Sequence, residues 1–183
     1  MKKEILFQLD IAWQLFEYHC HNLSEEEAMW CKTNQGLQIR KVNGVWRADW
    51  PDTESYTIGP ASISWIMWHI IYWWKKVLSA SKENKIITKE DVIWPGSVKL
   101  AIDEIGKCHR EWIKFVETLS EQELCSDKMC KWPFEGQNMY SLMLWLNVEF
   151  MQNVAEIGSD RFLYATIENR INSSCAPSKG QLT

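Results

Sequence analysis

With 183 residues, 46% of them hydrophobic, the chain has the length and composition of one globular domain rather than a disordered or fibrous segment. Its formal charge of −4, with no basic run longer than Lys75-Lys76 or Arg40-Lys41, excludes the cationic face that nucleic-acid binding requires. Six cysteines without a CxxC pair exclude a zinc ribbon and a thioredoxin-type motif, and 12 tryptophans forecast an unusually aromatic core.

A first helix is expected from about Lys2 to Asn22, with Ile5, Leu9, Ala12, Leu15 and Phe16 recurring on one side. Glu4, Gln8 and Asp10 interrupt the apolar run that a signal peptide would need, so a cytoplasmic protein is expected. In that compartment free thiols are the expectation, with a Cys125–Cys130 pair as the alternative. His19-Cys20-His21 has the composition of a metal tract, but its position fits the frayed end of the helix. Asn43-Gly44, inside the alternating stretch from Leu37 to Trp50, is a strong hairpin signal. A two-stranded ribbon is marginal alone, so it must pack on helices.

The second helix is expected from about Ala61 to Ser79. The apolar run from Ile58 to Trp74 is too short for a membrane span and is broken by Gly59, Pro60, Ser62, Ser64 and His69. Around a helical wheel, Trp65, Ile66, Tyr72 and Trp73 fall within about 60° of His69. The other side carries Ile63, Met67, Ile70, Ile71 and Trp74. One bundle core is not expected to cover both sides, which forecasts a partner surface and hence a homodimer. His69 itself must find a partner, a side chain or a metal, since an unpaired buried polar group costs roughly 1–3 kcal/mol.

The third helix is expected between Ser97, an N-cap, and Leu119, with Leu100, Ile105, Cys108, Trp112, Phe115 and Val116 inward. The fourth starts after Pro133–Gly136 and runs to at least Ile157, or to Ile167 if Gly158 is tolerated. Residues 1–170 make the bundle and 171–183 a tail. An internal echo links the halves. Leu23-Ser-Glu-Glu-Glu27 and Leu119-Ser-Glu-Gln-Glu123 both have the Ser-x-x-Glu capping-box form, and Trp50-Pro51 and Trp132-Pro133 precede helices two and four. On helix four, Glu149 and Asn153 share a face with Leu142, Trp145 and Leu146, and with Glu156 and Asp160 further on. This is either a solvated stripe or a polar cluster directed at His69.

The segments Ile63-Ser-Trp-Ile-Met-Trp-His69 and Asn147-Val-Glu-Phe-Met-Gln-Asn-Val-Ala-Glu-Ile-Gly158, with the four helices and their Trp-Pro linkers, resemble the DinB-like (DinB/YfiT) superfamily. The resemblance covers about Lys3 to Ile167 and implies an all-α four-helix bundle with a small β-hairpin between helices one and two. It also implies a divalent-metal site of three histidines, one on helix two and two on helix four. In this chain those positions hold His69, Glu149 and Asn153. A His–carboxylate–amide set either binds a divalent ion weakly (zinc, nickel or manganese) or satisfies itself by hydrogen bonds with no cofactor. Trp65, Tyr72, Trp73 and Trp145 are expected around a pocket, with Glu156 and Arg161 as candidates to orient a ligand. The functional expectation is a dimeric small-molecule-binding or non-catalytic protein with a degenerate site. The alternative implied by the resemblance is a metal-dependent thiol S-transferase or hydrolase acting on a small molecule.

Overall fold

Helix α1 (Lys2–Cys20) forms because Ile5, Leu9, Ala12, Phe16 and Cys20 repeat at helical spacing and are buried together. The computed structural model describes residues 1–53 and 55–174. After α1 come α2 (Glu25–Met29), the strands β1 (Ile39–Val42) and β2 (Val45–Ala48), α3 (Ile63–Glu83), α4 (Val98–Thr118), α5 (Glu121–Leu124) and α6 (Met139–Ser174). The four long helices make the bundle; α1 packs on α6, and α3 packs on both α4 and α6. Asn147 Nδ2 donates to the Ile5 carbonyl and Arg161 Nη1 to the His19 carbonyl, so α1 and α6 run parallel. His69 meets Asn153 while Trp73 meets Trp145, so α3 and α6 run antiparallel.

The ribbon pairs Ile39 with Ala48 and Val42 with Val45 across Asn43-Gly44. Both turn residues have positive φ, 51° and 81°, as a two-residue hairpin turn demands. Ile39 anchors it in the core, and the Trp65 indole of α3 donates to the Asp49 carbonyl at 2.7 Å.

Three expectations change. Ile63, Met67, Ile70, Ile71 and Trp74 are all buried within this one chain, so α3 does not present a second apolar face to a partner. The bundle helices cover two sides and the connecting segments cover the third: Trp68 Nε1 donates to the Val92 carbonyl at 2.8 Å, beside Trp65 on Asp49. Leu100 is half exposed, because Ala101, not Leu100, continues the Ile105–Cys108–Trp112–Val116 stripe. Helix α6 passes straight through Gly158 to Ser174, beyond both proposed ends. Gly158 admits the His19 ring against the α6 backbone, a close approach that only a residue without Cβ allows. Residues 175–183 of the expected tail lie outside the described residues.

The internal echo is real at the caps but not identical. Ser24 and Ser120 each cap a short helix, and Ser120 with Glu123 forms a complete capping box. Glu27, at the matching position after Ser24, is drawn away to Arg161 instead. Cys20, Cys31, Cys108, Cys125 and Cys130 are all free thiols. Among the described residues, no helix is long and apolar enough to cross a membrane.

Candidate functional site

Two helices bring the site together. On α3, His69 and Trp73 are four residues apart and so stack along one face; on α6, Glu149 and Asn153 do the same. His69 Nδ1 lies 3.0 Å from Asn153 Oδ1. Asn153 Nδ2 donates to the Glu149 carbonyl at 2.6 Å, which fixes the amide so that its oxygen faces the imidazole. An amide oxygen only accepts, so Nδ1 carries the proton. The Trp73 indole N–H donates to His69 Nε2, and an indole nitrogen only donates, so Nε2 must offer its lone pair. The two bonds agree on one state: a neutral imidazole protonated on Nδ1. Burial drives the His69 pKa down to about 4, against the opposing pull of Asn153. Trp65 stacks on the ring, centroids 4.9 Å apart, and holds its plane.

Glu149 is half-buried, and burial raises its pKa while a hydrogen bond from the Trp145 side chain opposes the rise. It lines a small cavity of about 10 Å³ together with Asn153, Trp73 and Trp74, room for about one water molecule. Trp73 also lines a much larger cavity of about 810 Å³. Its wall is Trp50, Trp65, Trp73 and His69, edged by Tyr56, Ile58 and Asp52 from the segment before α3. Trp73 thus lines both spaces.

The remaining expected site residues are placed elsewhere. Tyr72 is buried, stacks on Trp68 at 5.5 Å, and accepts a hydrogen bond from Lys76. Trp145 packs edge-on against Trp73 and Trp132, behind the large cavity rather than in it. Arg161 grips Glu27 through two nitrogens and donates to the His19 and His21 carbonyls, so it ties the end of α1 to α2. It borders a separate cavity of about 550 Å³. Glu156 is exposed, beside Lys32 and Asp160. Lys32 and Asp160 form a buried ion pair that the sequence does not announce, because 128 residues separate them. Trp50 and its neighbours before α3 also went unread as site residues. Trp50-Pro51 registered only as a linker signal, and nothing in a loop's composition says which way a tryptophan faces.

These donors do not suit a divalent cation as they stand. A histidine ligand usually gives Nε2 to the metal and Nδ1–H to an outer acceptor. His69 has that tautomer and that outer acceptor, but the Trp73 indole occupies the direction in which a metal would sit. Among the described residues, no three His, Cys, Asp or Glu side chains are grouped to hold a metal ion.

The family model of the DinB superfamily matches residues 8–157. No curated protein and no solved structure matches the chain. A match over that span, on a bundle built from these four helices, makes this chain a member of the DinB superfamily.

Proposed function

We propose that the protein is a non-catalytic, small-molecule-binding member of its superfamily, working without a metal in the cytoplasm. The observation that supports this is the pairing of a self-satisfied histidine with an open aromatic cavity. Both nitrogens of His69 are engaged by side chains, so no lone pair is free to activate a water or thiol. The adjoining space of about 810 Å³ lies within the range of ligand pockets and has three indoles in its wall. Such a wall favours a ligand with a flat, apolar body. Tryptophan fluorescence titrated with 1-anilinonaphthalene tests this. Saturable binding that persists in EDTA and weakens in Trp50→Ala and Trp65→Ala supports the reading. Binding that EDTA abolishes, or that neither substitution affects, overturns it.

A homodimer belongs to the same proposal, through a different face from the one the sequence pattern suggested. On α6, Leu144, Val148, Ala155 and Phe162 are exposed and form a seam on the side opposite the residues α6 turns to the core. On the neighbouring α1, Phe7, Ile11 and Tyr18 are exposed opposite its own buried stripe. From Leu144 to Phe162 the seam is roughly 27 Å long at ~1.5 Å per residue. Two helices about 9 Å apart then offer roughly 500 Å² per subunit. Doubled, that is about the minimum for a specific interface, so a second copy is the occupant it fits.

A further inference from the structure

We propose that the large cavity selects organic cations: a flat or N-methylated body whose positive charge sits against the indoles of Trp50, Trp65 and Trp73, with Asp52 as the counter-charge. This rests on the ligand-binding reading above and deepens it by naming the class of ligand. Three observations carry it. The first is the charge of the wall. Among the described residues that line the cavity, Asp52 has the only charged side chain. His69 adds no charge, because its two hydrogen bonds require a neutral ring. Asp49 is paired with Arg40 at 2.9 Å, whereas Asp52 makes no ion pair among the described residues. A cation entering here meets one carboxylate and no like charge in the wall.

The second observation is the kind of aromatic ring. The face of an indole carries negative potential, and tryptophan is the best of the side-chain rings for a cation. Several such rings beside a carboxylate are what recognises an organic ammonium group, where an aliphatic wall would suit a neutral hydrocarbon. The third is that these rings already attract ammonium groups of the protein itself. Lys89 Nζ lies 5.6 Å from the Trp50 ring centre and Lys76 Nζ lies 5.8 Å from that of Trp73. Neither lysine lines the cavity, so the space of about 810 Å³ stays open to a ligand of two or more rings. The Lys89 charge is offset by Glu90, 4.0 Å away.

Three two-ring probes differing in charge test this at pH 7: N-methylquinolinium (a cation), quinoline (neutral) and 1-naphthoate (an anion). Equilibrium dialysis compares them on the wild type, Asp52→Asn and Trp50→Ala. The wild type should bind N-methylquinolinium roughly fivefold or more tighter than quinoline, with 1-naphthoate weakest. Asp52→Asn should weaken the cation by roughly twofold to fivefold and leave quinoline unchanged. Trp50→Ala should narrow the ratio between cation and quinoline. Asp52 is exposed, so its variant decides the matter even if Trp50→Ala fails to fold. Quinoline or 1-naphthoate bound at least as tightly as the cation, or a cation preference that Asp52→Asn leaves intact, would each overturn the proposal. If 1-anilinonaphthalene and quinoline bind but the charge gains nothing, this inference alone fails. If none of the probes binds, the ligand-binding reading fails and this inference with it.

Discussion

Acid should weaken this fold through a histidine that no part of the candidate site uses. His109 on α4 is buried, stacked face to face on Trp13 at 4.0 Å and tilted against Trp74 at 5.8 Å. Its Nε2 has no hydrogen-bond partner among the described residues. Burial pulls its pKa down to about 4, with Asp10 opposing and Arg110 reinforcing. In the unfolded chain the same imidazole titrates near ~6.5, so between the two values the unfolded state binds the extra proton. Its contribution is whole above ~6.5 and falls as pH drops toward 4. Linkage gives a loss of about 2 kcal/mol between pH 7 and pH 5, and about 3 kcal/mol once pH is below 4. His69, also at about 4, adds a term of the same sign. Glu149 and Asp160 act oppositely: burial raises their pKa values, so protonation on acidification favours the folded state. The total is therefore a mixture, and a difference isolates His109. We expect urea unfolding of His109→Phe to match or exceed wild-type stability at pH 7, because the variant removes a buried polar atom without a partner. By pH 5 its advantage should have grown by about 2 kcal/mol. Equal losses in the two proteins between pH 7 and pH 5 would refute the assignment of a buried neutral His109.

The helices were legible because each announces itself locally. The stripe Ile5–Leu9–Ala12–Phe16, the caps at Ser97 and Ser120, and Asn43-Gly44 between alternating residues all encode structure within a few positions. The need of His69 for a partner was legible because an imidazole in an apolar helix must be satisfied, and its meeting with Asn153 followed from helix pairing. What sequence could not reveal is which neighbour would take Nε2. Trp73 is one tryptophan among 12 and falls on the expected aromatic face; only its rotamer makes it a hydrogen-bond donor to His69 rather than another core ring. The double-sided apolarity of α3 misled for a related reason. Periodicity counts faces, but it does not see that the chain before α3 and the turn near Val92 fold back over the third side. Gly158 was read as a weak point in α6 because propensity is local, whereas its role is contact with a helix some 140 residues away in sequence.

Three further perturbations follow from particular contacts. Arg161→Met leaves the buried Glu27 carboxylate without its partner and should cost about 3 kcal/mol in urea unfolding, with part recovered by adding Glu27→Gln. No recovery in the double variant counts against the pairing. Ile11→Glu combined with Val148→Glu charges the exposed seam of α1 and α6, so sedimentation equilibrium should find a dimer for the wild type and a monomer for the variant; a monomeric wild type ends the dimer proposal. Gly158→Ala sets two effects of known sign against each other. Alanine favours the helix by roughly 0.5–1 kcal/mol over glycine. Its Cβ, however, would overlap Nε2 and Cε1 of the His19 imidazole, so the ring must leave its seat between α1 and α6. That seat sits next to the carbonyls of His19 and His21 that Arg161 holds, so displacing the ring disturbs the same junction. The loss of packing should exceed the gain in propensity, and Gly158→Ala alone should destabilise the protein. In a His19→Ala background the obstacle is gone, and the same substitution should stabilise by up to about 1 kcal/mol. The coupling between the two positions, read from a thermal or urea double-mutant cycle, should then exceed about 1 kcal/mol. If Gly158→Ala stabilises equally with and without His19, the close approach of that ring to α6 is not what requires glycine at this position.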